Sequence, residues 1–108
     1  MKTQKALKQE FKMLYRNLTE LCRRVYSEEE FPHTTCAVWF IETLGKIVDD
    51  EQLKQFLTEQ IIIHILEMSK NILRTECVDN SYKSQLRKHA QQLKALRTEV
   101  VEDVNGLA

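Results

Sequence analysis

Residues 57–73 read LTEQIIIHILEMSKNIL, and the interpretation of this stretch decides the fold. Leu53, Phe56, Leu57, Ile61, Ile65, Met68 and Ile72 recur at helical spacing as one stripe, and Ile62, Ile63, Leu66 and Leu73 widen it on both sides. A helix that is apolar nearly all round belongs in the middle of a bundle. The spacing therefore predicts a central rod, starting after Asp49 or Asp50 and running to about Cys77. Asp49 with Gln52 has the pattern of a capping box at its start. The apolar block at 61–66 is six residues long, far short of the roughly 20 needed to cross a bilayer, so no membrane span is expected.

Three further segments carry helical periodicity. In the first, from about Lys5 to Tyr26, Leu7, Phe11, Leu14, Leu18, Leu21 and Val25 are spaced alternately four and three apart, a heptad-like seam. SEEEFP at 27–32 then breaks the pattern, with Pro32 as the stop. The second, from about His33 or Thr34 to Val48, is apolar on all sides between Cys36 and Ile41, which predicts burial; Thr34 or Thr35 is suited to cap it. Gly45 inside it serves either a close helix crossing or an early end. The fourth follows Asp79, Asn80 or Ser81 as cap and repeats the seam with Tyr82, Leu86, His89, Leu93, Leu96 and Val100, and Gly106 is suited to stop it. Only two glycines and one proline occur in 108 residues, a shortage that favours few long elements. The expected fold is all-α: one domain over 1–108, a compact bundle of about four helices with helices two and three central.

Sixteen basic and sixteen acidic residues cancel, so the net charge is no argument for nucleic acid. The charges are nevertheless segregated. Residues 1–27 carry net +5, 28–80 net −7, 81–97 net +5 and 98–108 net −3. At about 100° per residue, Lys5, Lys12, Arg16 and Arg23 fall in one stripe opposite the first seam. Lys83, Arg87 and Lys94 lie beside the fourth seam at spacings of four and seven. Such rows suit an acidic protein surface or phosphates, although Tyr15 and Tyr26 are too few for a base-stacking platform.

Catalytic chemistry finds little support. There is no glycine-rich phosphate loop and no GxSxG. His33 and Cys36 are three apart, but zinc needs two more ligands, which only the scattered Cys22, Cys77, His64 and His89 could supply. No local context activates a cysteine. His64 is read as a core or boundary histidine with one hydrogen bond, and His89 as a polar residue that fixes the register of its seam. Neither an enzyme nor a cofactor is expected. Three cysteines without CxxC and a start lacking an apolar leader core point to a reduced, intracellular setting, cytoplasmic or nuclear.

Two stretches resemble known families. MLYRNLTELCRR, with Leu14-Tyr15-Arg16 followed by Arg23 and Arg24, resembles the LYR family of small mitochondrial assembly factors. That resemblance implies a mitochondrial matrix protein that binds acyl carrier protein, its acyl chain held between helices. The near-neutral charge balance, the acidic middle and the fourth helix depart from that family's pattern. FIETLGKIVDDEQLKQFLTEQIIIHILEMSKN is similar to a single HEAT-type helix pair. The residues themselves point to a non-enzymatic protein–protein interaction module, an adaptor or small subunit of an intracellular complex. Trp39, Phe40, Tyr82 and the isoleucine run exceed what a small bundle must hide, which makes a dimer or a helix-binding groove the expected use of the surplus. Nucleic-acid binding through the basic rows is the alternative.

Overall fold

A computed structural model describes residues 2–26, 33–76 and 78–106; at His33 and beyond Val100 it describes the backbone alone. The described residues form five helices and no strand: α1 (Gln4–Val25), α2 (His33–Val48), α3 (Glu51–Lys54), α4 (Glu59–Leu73) and α5 (Asn80–Gly106). The all-α expectation holds. SEEEFP and Cys77 lie outside the described residues.

The third segment is where the sequence expectation fails. It is not one rod but a single turn, α3, then a break at 55–58, then α4. Each part has its own cap. Asp50 accepts hydrogen bonds from the Gln52 and Leu53 amides at 2.9 and 3.3 Å, and Thr58 accepts from the Ile61 amide at 3.3 Å. Asp50 is therefore the cap, and the proposed box of Asp49 with Gln52 does not form. Leu57 before the second cap and Ile62 four positions after it are both buried, the residue pattern of a hydrophobic staple. The break follows from angles. On one straight helix, Leu53, Phe56 and Leu57 would point roughly 120° away from the row Ile62, Ile65, Met68, Ser69 and Ile72. Both sets meet the protein interior, which only a turn between them allows.

The other helices follow their seams. Thr3 caps α1, its hydroxyl accepting from the Ala6 amide, and Leu7, Phe11, Leu18, Cys22 and Val25 are buried. Asp79 caps α5 by accepting from the Ser81 amide. Thr34 and Thr35 already lie inside α2, so neither is its N-cap. α2 runs past Gly45 to Val48, which rules out the early end.

α1 packs against α2, α3 and α4, and α5 packs against α2 and α4. Hydrogen bonds Gln4–Gln55, Tyr15–His64 and Tyr26–Asn71 show that α1 and α4 run parallel. Arg97 meets Glu59 at 3.7 Å, so α5 runs antiparallel to α4. The interior is built chiefly by α2, whose Cys36, Ala37, Phe40, Ile41, Leu44, Ile47 and Val48 are all buried. Burial is nonetheless one-sided. Trp39 on α2 is 47% exposed, and Ile61, Ile63, Leu66 and Leu73 on α4 are only half-buried. Neither helix is buried all round, because each has neighbours on one side only. Among the described residues α2 and α4 are not a close-packed pair, so the HEAT-type hairpin does not form.

Candidate functional site

The widening residues of α4 find their explanation beside α5. Between the two helices lies an open groove of about 340 Å³. Ile63, Leu66 and Leu73 from α4 and Ala90 from α5 make its apolar part, and Lys70, Lys94, Arg97 and Glu67 its charged rim. The antiparallel pairing produces this composition. Leu86 and Leu93 turn into the core, and the next row of α5, at spacings of three and four, carries Ala90, Lys94 and Arg97. Ala90 is too short to reach across to α4, so the α4 leucines stay partly uncovered. Ser69 at the groove floor satisfies its buried hydroxyl on the Ile65 carbonyl at 2.8 Å. The rim is positive on balance. Lys70 stands 3.9 Å from Glu67 and Arg97 3.7 Å from Glu59, while Lys94 forms no ion pair among the described residues.

The expected basic row of α1 is exposed at Lys5, Lys12, Arg16 and Arg23. Arg23 is engaged with Glu20, its guanidinium 2.6 and 3.2 Å from the two carboxylate oxygens. Arg24 reaches the same carboxylate at 3.1 Å. Hydrogen bonds from Arg23 and Arg24 hold the Glu20 carboxyl down at about 2. Lys5, Lys12 and Arg16 form no ion pair among the described residues. Lys83 is half-buried and Arg87 exposed on α5. The structure does not merge the two basic rows into one surface, because α1 and α5 are not close neighbours. Of the seven basic residues singled out by spacing, Lys94 alone lines the groove. Lys70, Arg97 and the apolar floor were missed as a set. The signal was present in the extra width of the 57–73 stripe, but the sequence does not say which helix stands beside it.

His64 and His89 each engage a neighbouring side chain. His64 is exposed and shares a hydrogen bond of 2.5 Å between its Nδ1 and the Tyr15 hydroxyl, with the rings edge-on. Burial raises the Tyr15 pKa, which keeps the phenol protonated. In the LYR tripeptide, Leu14 and Tyr15 pack against the core and Arg16 is exposed. His89 is half-buried and hydrogen-bonds Gln92 at 3.1 Å, and Gln92 donates to Asp49 at 3.3 Å. Its Nε2 lies 3.2 Å from where a Cβ on Gly45 would sit. Gly45 therefore serves the close crossing of α2 and α5.

Trp39 stands in a shallow depression with Leu21, Asn17 and Thr43, beside the Glu20–Arg24 pair. Of the apolar surplus expected at the surface, Phe40 is fully buried, Tyr82 partly so and Trp39 exposed; Met13, not among the residues expected there, is exposed as well. Cys22 and Cys36 are buried free thiols, and burial pushes the Cys22 pKa up, away from the reactive thiolate. Among the described residues no three His, Cys, Asp or Glu side chains are grouped to hold a metal ion, and no helix is long and apolar enough to cross a membrane. No family model, no curated protein and no solved structure matches this chain.

Proposed function

We propose that the protein is a non-enzymatic interaction module, an adaptor or small subunit of an intracellular complex, that seats a helical segment in the α4/α5 groove. The observation that supports this reading is the groove's composition: Ile63, Leu66 and Leu73 half-exposed beside Ala90, under a rim in which three cations outweigh one carboxylate. An apolar channel of this kind takes the apolar face of an amphipathic helix, and the rim favours one with carboxylates along its edges. The test is Leu66→Lys, which places a charge in the channel. Helix content and melting temperature should stay close to wild type, since Leu66 is only half-buried. Proteins crosslinked to the wild-type chain in cells should be lost from the variant. An unchanged set of crosslinked proteins would overturn the groove as the binding surface.

A second reading rests on Lys5, Lys12 and Arg16, exposed and without ion pairs among the described residues. They suit an acidic protein surface or nucleic-acid phosphates. The latter is recognised by a steep fall of affinity with salt.

A further inference from the structure

The helix α5 runs on past the start of α4. Its 27 residues span about 40 Å. Arg97 is level with Glu59, the first residue of α4. The nine residues from Thr98 to Gly106 therefore continue past the start of the antiparallel neighbour. On the other side, α2 ends at Val48, and Asp49 beyond it already meets Gln92. The extension is still patterned as a packing helix. Val100 continues the seam of Tyr82, Leu86, His89, Leu93 and Leu96 at interval four, and Val104 follows at interval four again. Glu99 and Asp103, also four apart, fall on one edge of that seam.

Charge on α5 is divided by position. From Ser81 to Arg97 there are five basic residues and no acidic one; from Thr98 onward there are three acidic residues and no basic one. The acidic end is at the wrong terminus for the helix dipole, which favours cations in the last turn, and the last turn of α5 has none. A helix that is basic along its body and acidic at its C-terminal end is unfavourable by itself. It is complementary to a second copy laid antiparallel. An axis of two-fold symmetry near Thr98 and Glu99 sets Asp103 of each copy opposite Lys94 of the other. It also brings each valine-bearing end over the other copy's groove, where Leu66 and Ile63 are half-exposed and Lys94 and Arg97 line the rim. Such a contact is isologous and closes on itself.

We infer that the chain forms a two-fold homodimer in which the acidic, valine-bearing end of α5 from each copy occupies the basic-rimmed α4/α5 groove of the other. This rests on the proposed use of the groove as a helix-binding surface and names a second copy as the occupant. At low salt the wild-type chain should show a concentration-dependent monomer–dimer equilibrium by sedimentation equilibrium. Two variants test the contact. In one, Glu99→Lys and Asp103→Lys reverse the extension. In the other, Lys94→Glu and Arg97→Glu reverse the part of the rim that the extension meets. Glu99, Lys94 and Arg97 are exposed, and circular dichroism should confirm intact helix content in both variants. Each variant alone should dimerise at least tenfold more weakly than wild type. Mixed in equal amounts they should form a heterodimer, because a basic extension then meets an acidic rim and an acidic extension a basic rim. A wild-type chain that stays monomeric to millimolar concentration, a dimer unaffected by both reversals, or variants that weaken dimerisation but fail to pair when mixed would each overturn the inference. A monomeric wild type whose other crosslinked partners are lost in Leu66→Lys leaves the groove reading standing and sinks only the self-pairing. Insensitivity of every contact to Leu66→Lys sinks both.

Discussion

α1 and the stretch 51–73 show the same kind of periodicity, yet one is a single helix and the other is two. Both contain an internal threonine. In α1, Thr19 bonds back to the Tyr15 carbonyl, 3.3 Å away and four residues earlier, and the helix continues. In the later stretch, Thr58 accepts from the Ile61 amide three residues ahead and starts a new helix. The same side chain serves either use. What decides is the direction of the neighbouring apolar residues. Around Thr19, Leu18, Cys22 and Val25 keep to one seam. Around Thr58, Leu53 and Leu57 on one side and Ile62 and Ile65 on the other need different directions. A drifting stripe is therefore a sign of a turn, and an internal Thr or Asp shows where the turn can be capped.

The largest effect that bears on this comparison is expected in the α4 core. Ile65 is fully buried, so Ile65→Ala should destabilise by about 2–5 kcal/mol in chemical denaturation, and Leu18→Ala in α1 should fall in the same range. A loss below about 0.5 kcal/mol at Ile65 would mean that the α4 face is wrongly assigned.

Next in size is the crossing of α2 and α5. Gly45→Ala puts a Cβ 3.2 Å from His89 Nε2, and the ring is tied through Gln92 to Asp49. Overpacking of this kind costs about 1–3 kcal/mol against a gain of about 1 kcal/mol in helix propensity, so the tied ring should make the net effect a loss of up to about 2 kcal/mol. Combining it with His89→Ala should remove the clash and let the propensity gain show, so a double-mutant cycle should report a coupling of opposite sign to the single effect. Additive effects would show that the ring moves freely.

The cap comparison is sharper but smaller. Thr58→Ala removes the Ile61 amide's acceptor and should cost about 1 kcal/mol. Thr19→Ala should change stability by no more than about 0.5 kcal/mol. Equal costs would contradict the distinction between a capping and a back-bonding threonine.

Smallest of all are the exposed charges of α1. Reversing Lys12 and Arg16 to Glu should leave the melting temperature nearly unchanged, because exposed charges each contribute about 0–1 kcal/mol. Glu20 titrates at about 2, below its ordinary 4.5, because Arg23 and Arg24 favour its carboxylate. The stabilisation it contributes is present above pH 4.5 and is lost as the pH falls through about 2. An NMR titration should find its midpoint well below 4.5, and high salt should move it back up.

Much of the fold was legible without coordinates. The spacing of Leu7 through Val25 and of Tyr82 through Val100 marks α1 and α5 with their seams, and the scarcity of glycine and proline excludes a turn-rich protein. The apolar run from Cys36 to Ile41 marks a helix that supplies much of the core. Periodicity could do this because a helix face is a local property, set by residues three and four apart. The groove was not legible in the same way. Ile63, Leu66 and Leu73 could be seen to widen a stripe, and Lys94 to stand beside a seam, but not that they meet.

What the sequence alone determined is the helical class, most helix limits, the seams and the division of charge along α5. Tertiary structure decided the break at 55–58, the antiparallel match of α4 with α5 and hence the open groove at Ala90, and the approach of His89 to Gly45. The physical reason is one of range. Helices form through contacts within four residues, which the order of residues specifies directly. A groove, a crossing or a forced turn depends on which distant surface must be covered, and that is settled only when the helices compete for the same interior.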